Sequence, residues 1–319
     1  MNLPVRGKAI GLDCGNCGLP FLSHAHGDHI NGVKKSTHLI ASKETIELAS
    51  LSASISKHPG TEMLDAGHIL GSRQLWAETD GGSALYTGDF RLKDGIFSKG
   101  AESKEAEKLI IECTYGDPFF SFSSPEEVYS DIAKWVNSHQ DSIILLGAYN
   151  LGKTQELIKL LNEYCKITPV VTPHSEHFNS VYEKNGIKLD RVVVGTEEAE
   201  EVMRGPFVSI VPPKLARKTF ASKLSEAFSR KAYSAFVSGW VQKYHHGAHE
   251  GFPLSDHADF ADILEYVEQV NPKEITFVHG DGAHLARVLS KKGIRTSLSG
   301  TLPAQTLQEM EIFAPESKS

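Results

Sequence analysis

The chain of 319 residues lacks the features that mark several classes of protein. Its four cysteines do not form the pattern of a disulfide framework. It has no apolar run long enough to span a bilayer, and its N-terminal segment has no hydrophobic targeting core. Its formal net charge of −7 does not indicate nucleic-acid binding. We therefore expect a cytoplasmic, soluble protein without membrane contact, made of one large domain or two moderate ones.

The sequence does contain an unusual density of metal-binding side chains in one short stretch. Residues 23–29 read Ser-His-Ala-His-Gly-Asp-His and follow an apolar run typical of a short strand. A loop leaving that strand would direct His24 and His26 toward one ion, and Asp28 and His29 toward a second. Imidazole and carboxylate ligands suit zinc, and also manganese or iron. The alternative interpretation is a solvated polar loop.

Further side chains of the same types stand where other predicted strands end. The four that follow apolar strand-like runs are His68, Asp89, Glu112 and His279. Carboxylates and imidazoles that recur along one edge of a sheet are typical of a metal site or an active site. The sequence therefore predicts such a site at the strand ends.

From residue 118 onward the pattern changes to alternating strands and helices, which predicts a separate α/β insertion. Within it, residues 147–154 match the Walker A pattern of a P-loop ATPase. No aspartate of the Walker B type follows a later strand, and ATP hydrolysis would leave the histidines unexplained. A weaker prediction survives, in which Lys153 and the amides at a helix N-terminus bind a phosphate.

The most basic stretch of the chain runs from residue 214 to 231. It carries Lys214, Arg217 and Lys218 and a single acid, Glu226. Two interpretations stay open for it, a solvated helix face and a surface that contacts backbone phosphates.

With these residues placed, the chain resembles the metallo-β-lactamase-fold hydrolases of the β-CASP nuclease branch. Asp13 resembles the family's buried aspartate, residues 24–29 its signature metal loop, His68 its next ligand and Asp89 its bridging carboxylate. Three later motifs separate this branch from other lactamase-fold hydrolases, and their counterparts here are Glu112, His257 and His279. Residues 150–157 resemble the family phrase Ala-Leu-Gly-Arg-x-Gln-Glu-Leu, which explains the Walker A match.

The resemblance implies an α/β fold, the four-layer αββα metallo-β-lactamase fold with an inserted α/β β-CASP cap domain. The first domain would be discontinuous, with residues 1–118 and 240–319, and the cap would take residues 119–239. Two divalent ions, Zn²⁺ or alternatively Mn²⁺, would be bound. The expected ligands of the first ion are His24, His26 and His68. The expected ligands of the second are Asp28, His29 and His279, and Asp89 would bridge the two.

The function implied is a nuclease that hydrolyses phosphodiester bonds of single-stranded nucleic acid, an exonuclease acting on DNA in repair or on RNA in processing. The small insertion and residues 236–240 are most similar to the ligase-associated DNA exonucleases. Residues 244–249 depart from those enzymes, which tend to be arginine-rich there, so DNA and RNA both stay open.

The catalytic residues expected are Asp28, Glu112 and His257, with His257 as general acid oriented by Glu112. The residues expected to contact substrate phosphates are Lys153, Ser238, Lys214, Arg217 and Lys218. A homodimer is compatible with this assignment. The alternatives are a thioester hydrolase of the glyoxalase II type on the same fold, a scaffold that has lost its site, and the P-loop ATPase.

Overall fold

The computed structural model describes residues 1–16, 18–244 and 246–299. We expect an edge element after Pro303 from the sequence, but this segment lies outside the described residues, as does His245 of the segment 244–249. Two compact units are present, and each is described by itself. The first contains residues 1–121 and the described residues from 256 onward, and the second contains residues 122–255.

The first unit contributes the strands and helices at both ends of the described chain. Their bounds are β1 Asn2–Val5, β2 Lys8–Leu12, β3 Leu19–Phe21, α1 Gly27–Ile30, β4 His38–Leu39, α2 Lys43–Leu48, β5 Ser54–Ile55, β6 Thr61–Asp65, β7 Arg73–Thr79, β8 Gly82–Tyr86 and β9 Lys108–Glu112. In the second unit they are α3 Pro125–Ser138, β10 Ile143–Gly147, α4 Lys153–Leu160, β11 Val170–Val171, α5 Glu176–Lys184, β12 Val192–Val193, α6 Glu197–Met203, β13 Phe207–Val211, α7 Lys218–Phe228, β14 Ala232–Val237 and β15 Glu250–Phe252. The first unit resumes with α8 Phe260–Val270, β16 Glu274–Val278, α9 Ala283–Lys291 and β17 Arg295–Leu298.

Two sheets stack in the first unit. One has the order β1-β2-β3 and the other the order β17-β16-β9-β8-β7-β6. A buried cluster joins apolar residues of the first sheet, such as Ile10 and Phe21, to residues of the second, such as Leu75 and Ile110. The other face of the larger sheet packs against α8 and α9 through a second buried cluster that includes Ile111, Tyr266 and Leu289. Sheet, sheet and helices thus form successive layers, and the predicted α/β fold is confirmed.

The direction of the strands explains why polar side chains gather at one edge of the larger sheet. Strands β8, β9 and β16 are neighbours and run parallel. Because the carboxyl ends of parallel neighbours lie at the same edge, residues that follow these strands are brought together.

In the second unit, six strands form one sheet of order β12-β11-β13-β10-β14-β15, and all of its neighbours pair in parallel. The sequence predicts one helix from about residue 153 to residue 164. Helix α4 instead ends at Leu160, and a wider π-type turn covers Leu161–Cys165. Strand β15 pairs with β14, so residues 240–255, which the sequence assigned to the first domain, lie in the second compact unit. Compact units are not a test of the predicted domain bounds, which stay a prediction.

The sequence carries local signals for helix caps and for a hairpin, and the structure confirms them. Ser42 is of a residue type that favours the N-cap position; it accepts a hydrogen bond from the Thr45 amide at 3.0 Å and begins α2. Ser124 and Glu127 have the spacing of a capping box and form one at the start of α3, and Asp259 begins α8. Asp80-Gly81-Gly82 is a hairpin signal, and strands β7 and β8 form this hairpin, with Asp80 and Gly81 at its turn.

We expect Ile111→Ala to lower the free energy of unfolding by about 2–5 kcal/mol, because Ile111 is 0% exposed between the larger sheet and its helices and its removal leaves a cavity. Ile55→Ala is the matched control, since Ile55 also lies in a strand but is 47% exposed. Urea unfolding followed by circular dichroism measures both. Equal losses for the two variants would contradict the assignment of this core.

Candidate metal centre

The predicted metal ligands come from loops that leave strands in the first unit. Asp89 stands three residues after β8, Glu112 is the last residue of β9, and His279 follows β16 directly. His24 and His26 follow β3 and precede the short helix α1, which carries Asp28 and His29. His24, His29, His68 and Asp89 are all buried. The structure therefore brings residues separated by more than 250 positions into one buried site.

Two glycines allow this close approach of strand ends. Gly88, with a φ of +55°, precedes Asp89, and a Cβ atom placed there would lie 2.5 Å from Ser23 Cβ. Gly280, with a φ of +159°, follows His279, and its Cβ would lie 2.1 Å from the Cys113 carbonyl oxygen. Such distances exclude any side chain without a shift of the backbone. His279 itself has a φ of +53°, a conformation rare outside glycine that is frequent at functional sites.

Three imidazole nitrogens converge on one point. His26 Nδ1 lies 3.1 Å from His24 Nε2 and 3.1 Å from His68 Nε2. Together with a carboxylate oxygen of Asp89, the donor atoms all lie within 4.8 Å of one another. Metal–nitrogen distances of about 2.0–2.1 Å in a tetrahedral site place neighbouring nitrogens about 3.3 Å apart, close to the spacing observed.

Hydrogen bonds on the far side of these rings fix which nitrogen carries a proton. His68 Nδ1 lies 2.8 Å from the Asp256 carbonyl oxygen, so it must donate there and leave the Nε2 lone pair toward the cluster. The Ser23 hydroxyl donates to Asp13 at 2.7 Å and accepts from His24 Nδ1 at 2.9 Å, which likewise leaves the His24 Nε2 lone pair unprotonated. Outer hydrogen bonds of this kind orient metal-binding histidines.

Asp89 stands between this group and a second, looser one. Its Oδ2 atom lies 3.4 Å from His24 Nε2 and 3.4 Å from His29 Nε2. Asp28 Oδ2 lies 3.7 Å from the same His29 nitrogen, and the rings of His29 and His279 are 4.8 Å apart. Among the described residues, however, the compact donor clusters do not include Asp28, His29 or His279. The first ligand set is therefore tightly assembled and the second only approximately.

The electrostatics of the two groups differ. Burial lowers the pKa of His68 to about 3 and that of His24 well below its usual value, so both rings are neutral and keep a lone pair. Burial also opposes the charged form of His29, but Asp89 and Asp13 raise its pKa well above the ordinary value. A proton on His29 thus occupies a position where two carboxylates favour a cation.

The chemistry of the donor set fits divalent metal ions. Three neutral imidazoles and one carboxylate converge in a buried place. Asp89 Oδ1 and His29 Nε2 are buried and have no hydrogen-bond partner among the described residues, although buried polar groups are otherwise paired. Metal ions in the two ligand groups would satisfy these atoms, and nitrogen with carboxylate ligands favours zinc over calcium or magnesium.

His257 and Glu112 form a pair next to the donor cluster. His257 Nδ1 lies 2.7 Å from Glu112 Oε1, and its ring centroid is 4.6 Å from that of His68. The carboxylate of Glu112 is held in turn by the amides of Phe90 and Thr114. Burial opposes charge on His257, but Glu112 raises its pKa to about 10, which favours an imidazolium.

The residues predicted to contact phosphate all belong to the second unit. Lys153 is only 2% exposed, and its Nζ donates to Glu156 at 2.8 Å, while Tyr129 donates to the other oxygen of Glu156. The ammonium group of Lys153 is therefore paired with a carboxylate inside the unit. This pairing argues against the predicted phosphate contact. Lys214 and Lys218 are exposed, whereas Ser238 is buried and accepts a hydrogen bond from the Trp240 amide. Contacts by Ser238, Lys214, Arg217 and Lys218 stay a prediction.

Sequence reasoning missed Tyr86 and the full role of Asp13. The Asp13 carboxylate contacts the Ser23 amide and hydroxyl, His29 Nδ1 at 2.7 Å and the Tyr86 hydroxyl at 2.8 Å. The Tyr86 hydroxyl also lies 3.3 Å from His279 Nε2. A tyrosine in a strand carries no signal that its hydroxyl reaches a metal ligand, so only the register of β8 shows it.

Comparison with known proteins supports the fold and the site. Residues 250–299 match the family model "Zn-dependent metallo-hydrolase RNA specificity domain". A "Probable DNA ligase" of Opitutus terrae is 31% identical over 86% of this chain and 28% of its own length. The "5' exonuclease Apollo" of Gallus gallus is 25% identical over 84% of this chain and 60% of its own. The "Cleavage and polyadenylation specificity factor subunit 3" of Dictyostelium discoideum is 24% identical over 73% and 37%.

A solved structure of a protein of unknown function from Enterococcus faecalis V583 has the same fold, with a TM-score of 0.57, 15% identity and coverage of 89% of this chain and 80% of that one. The layered α/β fold and the histidine–aspartate cluster are those expected of a metallo-hydrolase. The resemblance of the chain to the metallo-β-lactamase-fold β-CASP nuclease family is confirmed by these relatives. It spans only 28–60% of the length of these three relatives.

The structure also bears on the expected absence of membrane contact. In the described part of the chain, no helix combines the length and the apolar character that crossing a bilayer requires.

We expect Asp13→Asn to weaken zinc binding about 10–100-fold, because the amide cannot accept every hydrogen bond that now orients His29, Ser23 and Tyr86. Competition with a zinc-binding dye measures the affinity. Asp80→Asn, in the exposed hairpin turn, is the control. Wild-type zinc affinity in Asp13→Asn would show that this carboxylate does not support the ligands.

Proposed function

We propose that this chain is a metal-dependent nuclease that hydrolyses phosphodiester bonds of single-stranded nucleic acid. The observation that carries the proposal is the donor cluster of His24, His26, His68 and Asp89 with the His257–Glu112 pair directly beside it. A set of metal ligands alone would fit many hydrolases. The adjacent protonated histidine adds a proton donor, which an alkoxide leaving group requires.

In this proposal one ion would be held by His24, His26 and His68 and a second by Asp28, His29 and His279, with Asp89 as a ligand available to both. Divalent ions in such a pair supply Lewis acidity, which acidifies a water molecule and offsets the charge on phosphate oxygens. The protein contributes orientation: Asp13 holds His29, and Ser23 holds His24.

His257 is proposed as the general acid. Its Nδ1 stays bonded to Glu112 Oε1, so the proton that it can transfer is the one on Nε2. The high pKa that Glu112 gives to His257 keeps this proton in place until the leaving oxygen develops charge. Glu112 touches no substrate in this scheme and acts as a positioning residue.

We propose DNA as the substrate and exonucleolytic cleavage as the mode of action. Two relatives that match most of this chain are named for DNA, the probable DNA ligase already described and a "DNA cross-link repair protein SNM1" of Arabidopsis thaliana. A third relative, also already described, is named as a 5′ exonuclease, which supports the mode of action. RNA is the second candidate, since the family model at 250–299 is described as an RNA specificity domain.

No observation favours the other functions considered from the sequence. A thioester hydrolase has no need of the His257–Glu112 pair, and the ATPase would need Lys153 to reach a phosphate, whereas this lysine is buried against Glu156. A scaffold that has lost its activity would be expected to lack some of the ligand residues, whereas a histidine or an aspartate stands at every expected ligand position of this chain. A homodimer and a cytoplasmic location stay predictions.

The activity is tested by incubating the zinc- or manganese-loaded protein with end-labelled single-stranded DNA and RNA of one sequence, and with a thioester and ATP. We expect shortening of DNA that a chelator abolishes. Labels at the 5′ and 3′ ends distinguish the polarity and separate stepwise from internal cutting. Hydrolysis of the thioester or ATP with both polynucleotides intact would overturn the proposal.

We expect His257→Ala to lower turnover about 10²–10⁴-fold while zinc content is unchanged, because it removes a proton donor but no ligand. Asp89→Ala is expected to lower both, since Asp89 lies between the two ligand groups. Atomic emission measures zinc beside the nuclease rate, with His174→Ala as control because His174 is exposed in the second unit. Full activity in His257→Ala would exclude the acid role.

A further inference from the structure

The first unit contains a cavity that is separate from the candidate metal centre. A cavity of about 800 Å³ is bordered by the beginnings of β2 and β3, the segment 31–38 that follows α1, and residues 56–58 after β5. None of the predicted metal ligands lines it. Its size is that of pockets that bind small molecules, typically about 300–1,000 Å³.

The charge of this cavity has one sign. Among the described residues that line it are Lys8, Lys34, Lys35 and Lys57, with His38 and His58, and no carboxylate. The whole chain, in contrast, carries seven more acidic than basic residues. Concentrating cations in one concave place of an acidic protein raises the local positive potential and attracts anions.

These four lysines form no ion pair with any described residue, unlike most of the other lysines of the unit. Of the twelve lysines in residues 1–121 and 256–299, seven form salt bridges with described acids. Five form none with any described residue, and four of these five line the cavity. The fifth is Lys291, in α9. Unpaired lysines are common on protein surfaces, but here they collect around one cavity.

His58 gives an independent indication. Its Nδ1 atom is buried and has no hydrogen-bond partner among the described residues, although the backbone of His58 is held by two hydrogen bonds from Thr61 to its carbonyl. A buried imidazole nitrogen without a partner is costly unless a ligand or water completes it. Asn31, Ser36 and Thr37 add neutral hydrogen-bonding side chains to the lining.

We propose that this cavity binds a phosphorylated small anion, of the charge and size of a nucleoside di- or triphosphate, separately from the metal centre. Lysines recognise phosphate as compact point charges, and several together match a chain of phosphoryl groups. The same chemistry is offered by a free nucleotide and by the phosphorylated end of an oligonucleotide. The site does not depend on the proposed nuclease activity.

The elements that border the cavity also support the metal centre. Gly32 lines the cavity, and a Cβ placed on it would lie 2.3 Å from the carbonyl oxygen of Asp13, whose side chain holds His29. Gly15, also in the lining, is packed equally closely against the Gly32 carbonyl. The lining of the cavity is therefore packed directly against the backbone of the residue that orients a predicted ligand.

The test compares two variants with the same change of charge. Lys34→Gln/Lys35→Gln/Lys57→Gln removes three cavity lysines, and Lys99→Gln/Lys291→Gln/Lys292→Gln removes three lysines outside it. Titration calorimetry of the metal-loaded proteins uses inorganic pyrophosphate, ATP and a 5′-phosphorylated oligonucleotide as probes. We expect the cavity variant to bind at least one probe about tenfold or more weakly than wild type, with the control variant within about twofold.

The probes also identify the source of the phosphate. A loss confined to ATP and pyrophosphate assigns the cavity to free nucleotides, and a loss confined to the oligonucleotide assigns it to a polynucleotide end; both support the proposal. Equal affinities of the two triple variants for every probe would overturn it, as would the absence of measurable binding by wild type. Zinc content and the urea midpoint are expected to be the same in all three proteins, which separates this result from damage to the metal centre.

Discussion

The candidate site of the first unit depends on the convergence of three buried imidazoles. His24, His26 and His68 direct ring nitrogens at one point, with His26 Nδ1 3.1 Å from each of the other two. Burial lowers the pKa of all three rings, so they are favoured in the neutral form that can bind a metal ion. The parallel strands β8, β9 and β16 bring Asp89, Glu112 and His279 to the same edge of the larger sheet.

The hydrogen bonds behind the ligands explain how the arrangement persists in one form. Each outer partner forms a hydrogen bond with the Nδ1 atom of one ring and leaves its Nε2 atom facing the site. The partners are the Asp256 carbonyl for His68, the Ser23 hydroxyl for His24 and the Asp13 carboxylate for His29. Asp13 and Ser23 are themselves bonded, so two ligands share one support. Removal of a residue that touches no ion can for this reason disturb two ligands together.

The sequence predicts features that depend on a few neighbouring residues, and it does not predict features that depend on tertiary packing. The ligand loop at 24–29 and the caps at Ser42 and Ser124 are local patterns that can be recognised from a few consecutive residues, and the structure confirms the two caps. The predicted roles of the site residues are untested. The buried position of Lys153 was not predictable, because its partner Glu156 and the neighbouring Tyr129 meet through tertiary packing. The basic cavity was missed for the same reason, since its lysines lie far apart in the sequence.

The two ligand groups differ in the protonation of their histidines, and this difference affects how readily each group would bind a metal ion. Burial lowers the pKa of His24 and His68, so an ion held by these rings would displace no proton from them. Asp89 and Asp13 raise the pKa of His29, so an ion held by this ring would compete with a proton on Nε2, the nitrogen that faces Asp89. The second group is also less tightly assembled, with Asp28 Oδ2 at 3.7 Å from His29 Nε2. In both geometry and protonation, the first group is therefore closer than the second to what a divalent ion requires.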